Sequence, residues 1–307
     1  MTKAIRSSRG GNALSPAVNA AATVLLALGS LLCLFPLALV LAVSFTPERV
    51  IALNGYSILP AALSLEAYAF LFAEPLRIVR AYGITIFTTV TGTAVGLLFI
   101  SLYAYPLSRR DFRYRRFFTF LVFFTMLFNG GLVPRYLVYT QLLHVKNTLL
   151  ALILPLLVNG YFLLIMRSFL STTLPEEALE SARIDGAGEF RIFFSIVLPL
   201  AKPALASIGL FYTLRYWNDW FLSLIYITND RIVNLQYLMY RVQLHIEELQ
   251  NASMQNMSLQ AIREMADIPS ENVRMAMAIV GIGPVILAYP FFRRYFVQGL
   301  TLGSIKG

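Results

Sequence analysis

The chain has 307 residues, of which 58% are hydrophobic and only 13% charged, and its mean hydropathy is +0.67. Soluble domains carry about 45–50% apolar and about 25% charged residues, so a soluble enzyme, a disordered chain and a fibrous protein are excluded. Cys33 is the single cysteine, which excludes a disulfide scaffold, and the net charge of +9 has to be understood from where the charges sit.

A membrane-crossing helix needs about 20 mostly apolar residues. No charge occurs between Gly10 and Pro47, and the apolar part of that stretch, residues 18–45, is the first expected span. It exceeds the roughly 7–15 apolar residues of a cleavable signal, so it is expected to be retained. A second uncharged run covers 81–108, with Pro36 and Pro106 marking kinks or span ends. The third is 117–134, where Gly130-Gly131 before Pro134 is expected to interrupt the helix. Residues 147–166 form the fourth, and 203–229 the fifth, broken only by Arg215 and Asp219. The last run is 275–292. The expected fold is all-α: a polytopic membrane protein with six transmembrane helices in one membrane domain over residues 1–307.

Six spans place both termini on one side, and Lys/Arg bias chooses the side. The N-terminus, 109–116, 167–202 and the C-terminal tail together hold 15 Lys/Arg against 6 acidic residues. The opposite segments hold 9 of each. Both termini are therefore expected in the cytoplasm. The basic residues, densest at Arg109, Arg110, Arg113, Arg115 and Arg116, face cytoplasm and lipid headgroups rather than nucleic acid.

The sharpest local pattern lies in the cytoplasmic connection, residues 174–203. Pro175 suits the start of a helix, and Glu176 and Glu177 suit its positive N-terminal end. Asp185-Gly186 breaks that helix. Phe190, Phe193, Phe194 and Val197 then recur at helical spacing, which predicts a second, amphipathic helix before Leu198-Pro199. The result is a helix–turn–helix on the cytoplasmic face with one side open to a partner.

This loop resembles that of the permease subunits of bacterial ATP-binding-cassette (ABC) importers. Their signature of Glu-Ala-Ala, two residues, Asp-Gly-Ala, then Leu-Pro and a further Pro is matched by Glu180, Ser181, Ala182, Asp185, Gly186, Ala187, Leu198, Pro199 and Pro203. Ser181 in place of the first Ala is the departure. The tail FFRRYFVQGLTLGSIKG, residues 291–307, is similar to the ending of carbohydrate-importing permeases, close to the inner permease of the maltose importer. Residues 128–137 and 144–155 resemble the branch that handles complex oligosaccharides and polysaccharide fragments.

The resemblance implies a bacterial cytoplasmic-membrane, multi-pass permease that works with a homologous second permease, two cytoplasmic ATP-binding subunits and an extracytoplasmic solute-binding protein. Oligosaccharide would pass along the permease–permease interface. Glu177, Glu180, Ala182, Asp185, Gly186, Ala187, Phe190, Leu198 and Pro199 would dock the ATPase. Gly303, Lys306 and Gly307 in the tail would reach toward it. The amide-rich connection 228–274 would meet the binding protein.

Within the spans, Arg215 and Asp219 are four residues apart, on one helix face where they can pair. With Tyr212, Trp217 and Asn218 they combine aromatic faces and hydrogen-bonding edges, as a sugar requires; Asn159 and Tyr161 flank Gly160 in span four. Sugar contact and helix packing both remain open for these six pathway residues (Asn159, Tyr161, Tyr212, Trp217, Asn218, Asp219). No Gly-Lys-Ser or Gly-Lys-Thr occurs, so ATP and Mg belong to the partner ATPases and no cofactor is expected on this chain. His144 and His245 stand alone, which gives no metal site, and no catalytic group is expected. An integral membrane enzyme, a passive channel and a permease for a non-sugar solute are the alternatives.

Overall fold

The computed structural model describes residues 15–255 and 270–282. Among these the chain is helical throughout, with no strand. In order the helices are α1 (Pro16–Ser44), α2 (Glu48–Asn54), α3 (Glu66–Leu71), α4 (Pro75–Ser108), α5 (Arg115–Leu127), α6 (Leu132–Leu137), α7 (Leu149–Leu157) and α8 (Gly160–Thr173). There follow α9 (Glu176–Ile184), α10 (Glu189–Ile192), α11 (Leu198–Leu200), α12 (Lys202–Trp217), α13 (Phe221–Tyr226), α14 (Leu235–Gln255) and α15 over residues 271–282. The tail residues Gly303, Lys306 and Gly307, the basic N-terminus and the second half of the sixth expected span lie outside the described residues.

Two compact units divide the described chain: 15–71 with 253–255 and 270–279, and 72–252 with 280–282. In the first, α1 starts on Ser15, whose hydroxyl oxygen accepts from the Val18 N–H, and it runs on through Pro36. Almost every side chain of α1 is exposed, Cys33 included, which suits a helix whose surroundings are hydrocarbon. Glu48 is buried and caps the start of α15: its carboxylate accepts from the Ser270 hydroxyl at 2.7 Å and from the Glu271 and Asn272 N–H groups at 3.1 Å. A carboxylate there satisfies orphan donors and meets the positive end of the helix. Tyr56 donates to Glu271 at 2.7 Å, and that bond pushes the phenol pKa up.

The second unit is organised around α4, which packs against α7, α8 and α12. Gly92 and Gly96 make this possible. A Cβ on Gly92 would lie 2.3 Å from the Tyr216 ring, and one on Gly96 would lie 3.2 Å from both the Leu157 carbonyl oxygen and the Tyr212 ring. The two tyrosines, stacked with centroids 6.2 Å apart, lie against this glycine face and donate their hydroxyls to Leu157 O at 2.8 Å and Ile153 O at 2.9 Å. Those carbonyls belong to the last turns of α7, which contains Pro155 and stops at Leu157. The last four carbonyls of a helix have no partner within it, and left unpaired inside a membrane each costs several kcal/mol; the Tyr212 hydroxyl takes the terminal one at Leu157, and Tyr216 adds a second bond one turn earlier.

The helices are interrupted more often than the single break expected at Gly130-Gly131. Among the described residues only α1 and α4 are long and apolar enough to cross a membrane alone, and three bent pairs of helices reach that length and apolarity only when each pair is taken together. Arg115–Leu127 and Leu132–Leu142 meet at 114°, α7 and α8 at 51°, and Glu189–Leu200 and α12 at 78°. The first break falls at Gly130-Gly131, as the glycines imply, with Gly131 at φ +85°. The second follows Pro155 and is closed by Asn159, whose side chain accepts from Phe162 N–H at 3.1 Å. The fifth expected span, 203–229, is also divided, because α12 ends at Trp217 and α13 begins at Phe221.

The glycine seam makes a direct prediction. Gly92→Val must displace the Tyr216 ring, and overpacking of this kind costs about 1–3 kcal/mol. Thermal unfolding of the purified protein in detergent should show a clear loss for Gly92→Val and none for Gly29→Val, since Gly29 has nothing within 4 Å.

Candidate functional site: the loop 174–203 and the broken helices

In the loop, α9 follows Pro175 and ends in a Schellman turn. Ala187 N–H donates to Ala182 O and Gly186 N–H to Arg183 O, both at 2.9 Å, and Gly186 stands at φ +78°. A glycine is required because other residues meet a steric penalty at that φ. Nothing of this chain lies within 4 Å of where a Gly186 side chain would begin. The second helix is shorter than expected: α10 covers four residues and passes into a π-helical turn over Phe193–Val197. Pro199 follows and has no N–H to continue the ladder, which favours the wider turn.

The loop has two faces. Leu179, Ile192, Phe193 and Val197 are buried, with Ala182, Ala187 and Leu198 packed against the same core. Glu177, Glu180, Asp185, Gly186, Phe190 and Pro199 are exposed. Ile184, which the sequence reading passed over, is 86% exposed and Phe190 is 75% exposed. An apolar residue in the last turn, five positions from Leu179 and so off the buried face of α9, was the available signal for Ile184.

Behind that exposed face, a ring of charges fastens the loop to the end of α4. Arg109 donates through Nε to Asp111 Oδ1 at 2.8 Å, pairs through Nη2 with Oδ2, and reaches Glu189 Oε2 at 2.8 Å through Nη1. Arg183 closes the ring, with Nη2 at 3.1 Å from Glu189 Oε1 and 3.4 Å from Asp111 Oδ2. The Tyr105 hydroxyl donates to Glu189 Oε2 at 3.0 Å. The bond from Arg109 holds the Asp111 carboxyl below its ordinary range and in turn raises the Arg109 pKa. A lowered carboxylate pKa stabilises the fold above its unfolded value and loses that stabilisation only as pH falls through the folded value, so Asp111 stays charged throughout pH 5–8. Beside the ring lies a cavity of about 490 Å³ whose apolar floor includes Leu102, Pro106, Phe112 and Phe193.

The expected pathway residues separate into two groups. Tyr212 and Trp217 are buried; the Trp217 indole N–H donates to Gly281 O at 2.8 Å. Asn159 caps α8. Tyr161 and Asn218 are exposed. Arg215 and Asp219 do not form the expected ion pair. Asp219 instead accepts from Leu222 N–H at 3.3 Å, opening α13, and its carbonyl accepts from the Asn234 side chain. Arg215 and Arg135 act on Asp219 from beyond ion-pair distance. Among the described residues no three His, Cys, Asp or Glu side chains are grouped to share a cation.

Residues 96–302 match the family described as "Binding-protein-dependent transport system inner membrane component". The chain belongs to this family. The permease is 36% identical over 278 residues to the polygalacturonan/rhamnogalacturonan transport system permease protein YtcP of Bacillus subtilis, covering 91% of this chain and 94% of that one. It is 37% identical to protein LplC of the same organism, covering 89% and 90%, and 29% identical to the trehalose/maltose transport system permease protein MalG of Thermococcus litoralis, covering 92% and 97%. Among solved structures, a bacterial ABC transporter involved in the import of the acidic polysaccharide alginate superposes with a TM-score of 0.74 at 26% identity, covering 94% of this chain and all of that one.

Packing of the permease interior predicts unequal roles at adjacent positions. Trp217→Ala removes a buried ring and its hydrogen bond, for which a cost of about 3–5 kcal/mol is typical. Trp217→Ala should therefore lower the yield of folded protein, whereas Asn218→Ala should leave yield and melting temperature unchanged; size-exclusion recovery and thermal unfolding read both.

Proposed function

We propose that this chain is the permease subunit of an ABC importer that carries oligosaccharides or polysaccharide fragments inward, with ATP hydrolysed by separate subunits. The observation that carries the reading is the cytoplasmic loop: a Gly186-terminated helix exposes acidic residues with Ile184 and Phe190 at its tip, the composition of a protein-docking surface. An anionic face is a poor fit to the negative cytoplasmic leaflet, which disfavours simple resting on lipid. Glu177, Glu180, Asp185, Gly186 and Phe190 meet the ATPase, while Ala182, Ala187, Leu198 and Pro199 shape the turn that presents them. A second permease, two ATP-binding subunits and a solute-binding protein complete the importer, with one membrane domain, six crossings and both termini in the cytoplasm. The expected roles of Gly303, Lys306 and Gly307 belong to the same proposal.

The substrate is an acidic sugar chain. Two features support this: the named relatives include transporters for polygalacturonan and alginate, and Arg135 and Arg215 together outnumber Asp219 at the α12–α13 break. Of the six pathway residues, Asn218 and Tyr161 have the surface position for sugar contact, Asp219 is only partly exposed, and Asn159, Tyr212 and Trp217 hold the walls.

The assembled complex with its binding protein should hydrolyse ATP faster with oligogalacturonide than with a neutral maltooligosaccharide. Gly186→Val, strained at φ +78° and intruding on the docked partner, should abolish that stimulation or release the ATPase, without loss of permease from the membrane. Intact stimulation and co-purification in Gly186→Val would remove this loop from coupling. A reporter fused after residue 112 should read cytoplasmic; an external signal would reverse the orientation and with it the docking.

A further inference from the structure

The docking surface explains how the loop is held from outside but not how its displacement reaches the spans. The backbone at either side is a poor lever. On one side α8 ends at Thr173 before the extended Leu174-Pro175; on the other, a 78° bend at Ala201 separates the loop from α12. A push on the loop could be absorbed at both joints. Among the described residues two polar connections bypass them: an exposed pair, Arg110 Nε to Glu176 Oε1 at 3.2 Å, and the better-buried charged ring. Arg109 leaves the C-terminal end of α4 with its side chain only 13% exposed, and it reaches Glu189 in the first turn of α10. Arg183, in the last turn of α9, holds the other oxygen of the same carboxylate and touches Asp111. Glu189 therefore sits between an arginine of the α4 end and an arginine of the docking helix. A ring of four charges in which one arginine is paired two-pronged has fixed geometry, unlike isolated surface pairs. Beyond the ring, α4 is a single 34-residue helix carrying the glycine seam against Tyr212 and Tyr216.

We propose that Glu189 and Arg183 are positioning residues that lock the docking loop to α4, so that ATP-driven movement of the loop is delivered to α4 as a rigid body and through it to the broken helices. This rests on the docking reading above. The residues act behind the docking face, not in it, and their loss uncouples the loop without detaching the ATPase.

The test uses the assembled complex in lipid nanodiscs, with Cys33→Ser and a single reporter cysteine, Leu76→Cys, at the exposed far end of α4. The rate of its reaction with a charged maleimide is measured with and without ATP plus vanadate, and ATPase co-purification is scored in parallel. Nucleotide should change the rate by about fivefold or more with the ring intact, the range of ordinary coupling energies. Glu189→Gln and Arg183→Gln should each erase that response while the ATPase still co-purifies. The double variant should be no worse than either single one, because both break one ring. Glu74→Gln, in an exposed pair outside the loop, should keep the full response. Where Glu189→Gln accumulates poorly, Arg183→Gln gives the same reading. The proposal is overturned by a preserved response in either single variant, by multiplicative effects in the double, by absence of any nucleotide response at Leu76→Cys with the ring intact, or by loss of the ATPase in Glu189→Gln, which would place that residue in the docking face. Failure of the docking reading is separate: it shows as Gly186→Val retaining both ATPase and stimulation.

Discussion

Everything in the second unit depends on keeping backbone polar groups paired where water is absent. A membrane helix can be broken only if something else takes the freed carbonyls and N–H groups. In this permease the break after α7 is supported by two tyrosine hydroxyls donated from α12, and by the Asn159 side chain at the start of α8. The tyrosines reach those carbonyls only because α4 presents glycine at 92 and 96. Three helices are thus joined by one arrangement in which neither rings nor glycines can change size alone. The break before α13 follows the same rule with different groups: Asp219 opens the helix, and Asn234 takes the Asp219 carbonyl while its own side chain opens α14 by accepting from Tyr237 N–H at 3.0 Å.

This explains what was legible in the sequence and what was not. The hydrophobic runs locate the helices because burial in lipid is a one-dimensional property of the chain. Gly130-Gly131 announces its break because glycine acts locally. The breaks at 158–159 and 218–220 were hidden, since Asn159, Asn218 and Asp219 suit a polar face of a continuous helix equally well and the compensating partners come from residues far away. Arg215 and Asp219 illustrate the cost of local reasoning: their i, i+4 spacing suits an ion pair on a continuous helix, but α12 ends at Trp217, between them. Once the helix stops there, the spacing no longer puts them on one face, and Asp219 serves the next helix instead. Glu48 was equally invisible, because its role as a cap exists only through residues more than 200 positions away.

The loop 174–203 was read more fully because its determinants are short-range. Pro175, the two glutamates and Asp185-Gly186 specify a helix and its stop within a dozen residues, and the Schellman bonds span only three and five positions. Its second half was misjudged in type: periodicity alone does not distinguish an α-helix from an α-helix that widens into a π-turn before proline. The inward and outward faces survive that change, since Phe193 and Val197 remain buried while Phe190 and Phe194 remain exposed.

The two kinds of contact, aromatic–glycine in the interior and ionic at the cytoplasmic end, suit different tasks. Close-packed rings on a glycine seam resist small displacements and so keep α4, α7, α8 and α12 moving together. An ionic ring near water is held by direction more than by depth: its Asp111 and Glu189 carboxylates are more than half exposed, and the two-pronged Arg109–Asp111 pair and the shared Glu189 carboxylate set its geometry. On the proposed coupling, an ATPase stroke received at the loop needs stiffness within the helices and a directional grip at the point where it is received. Exchanging the two would fail on physical grounds: an ionic ring at bilayer depth would carry a desolvation cost, and an apolar seam on the loop would compete with the docking face for the ATPase.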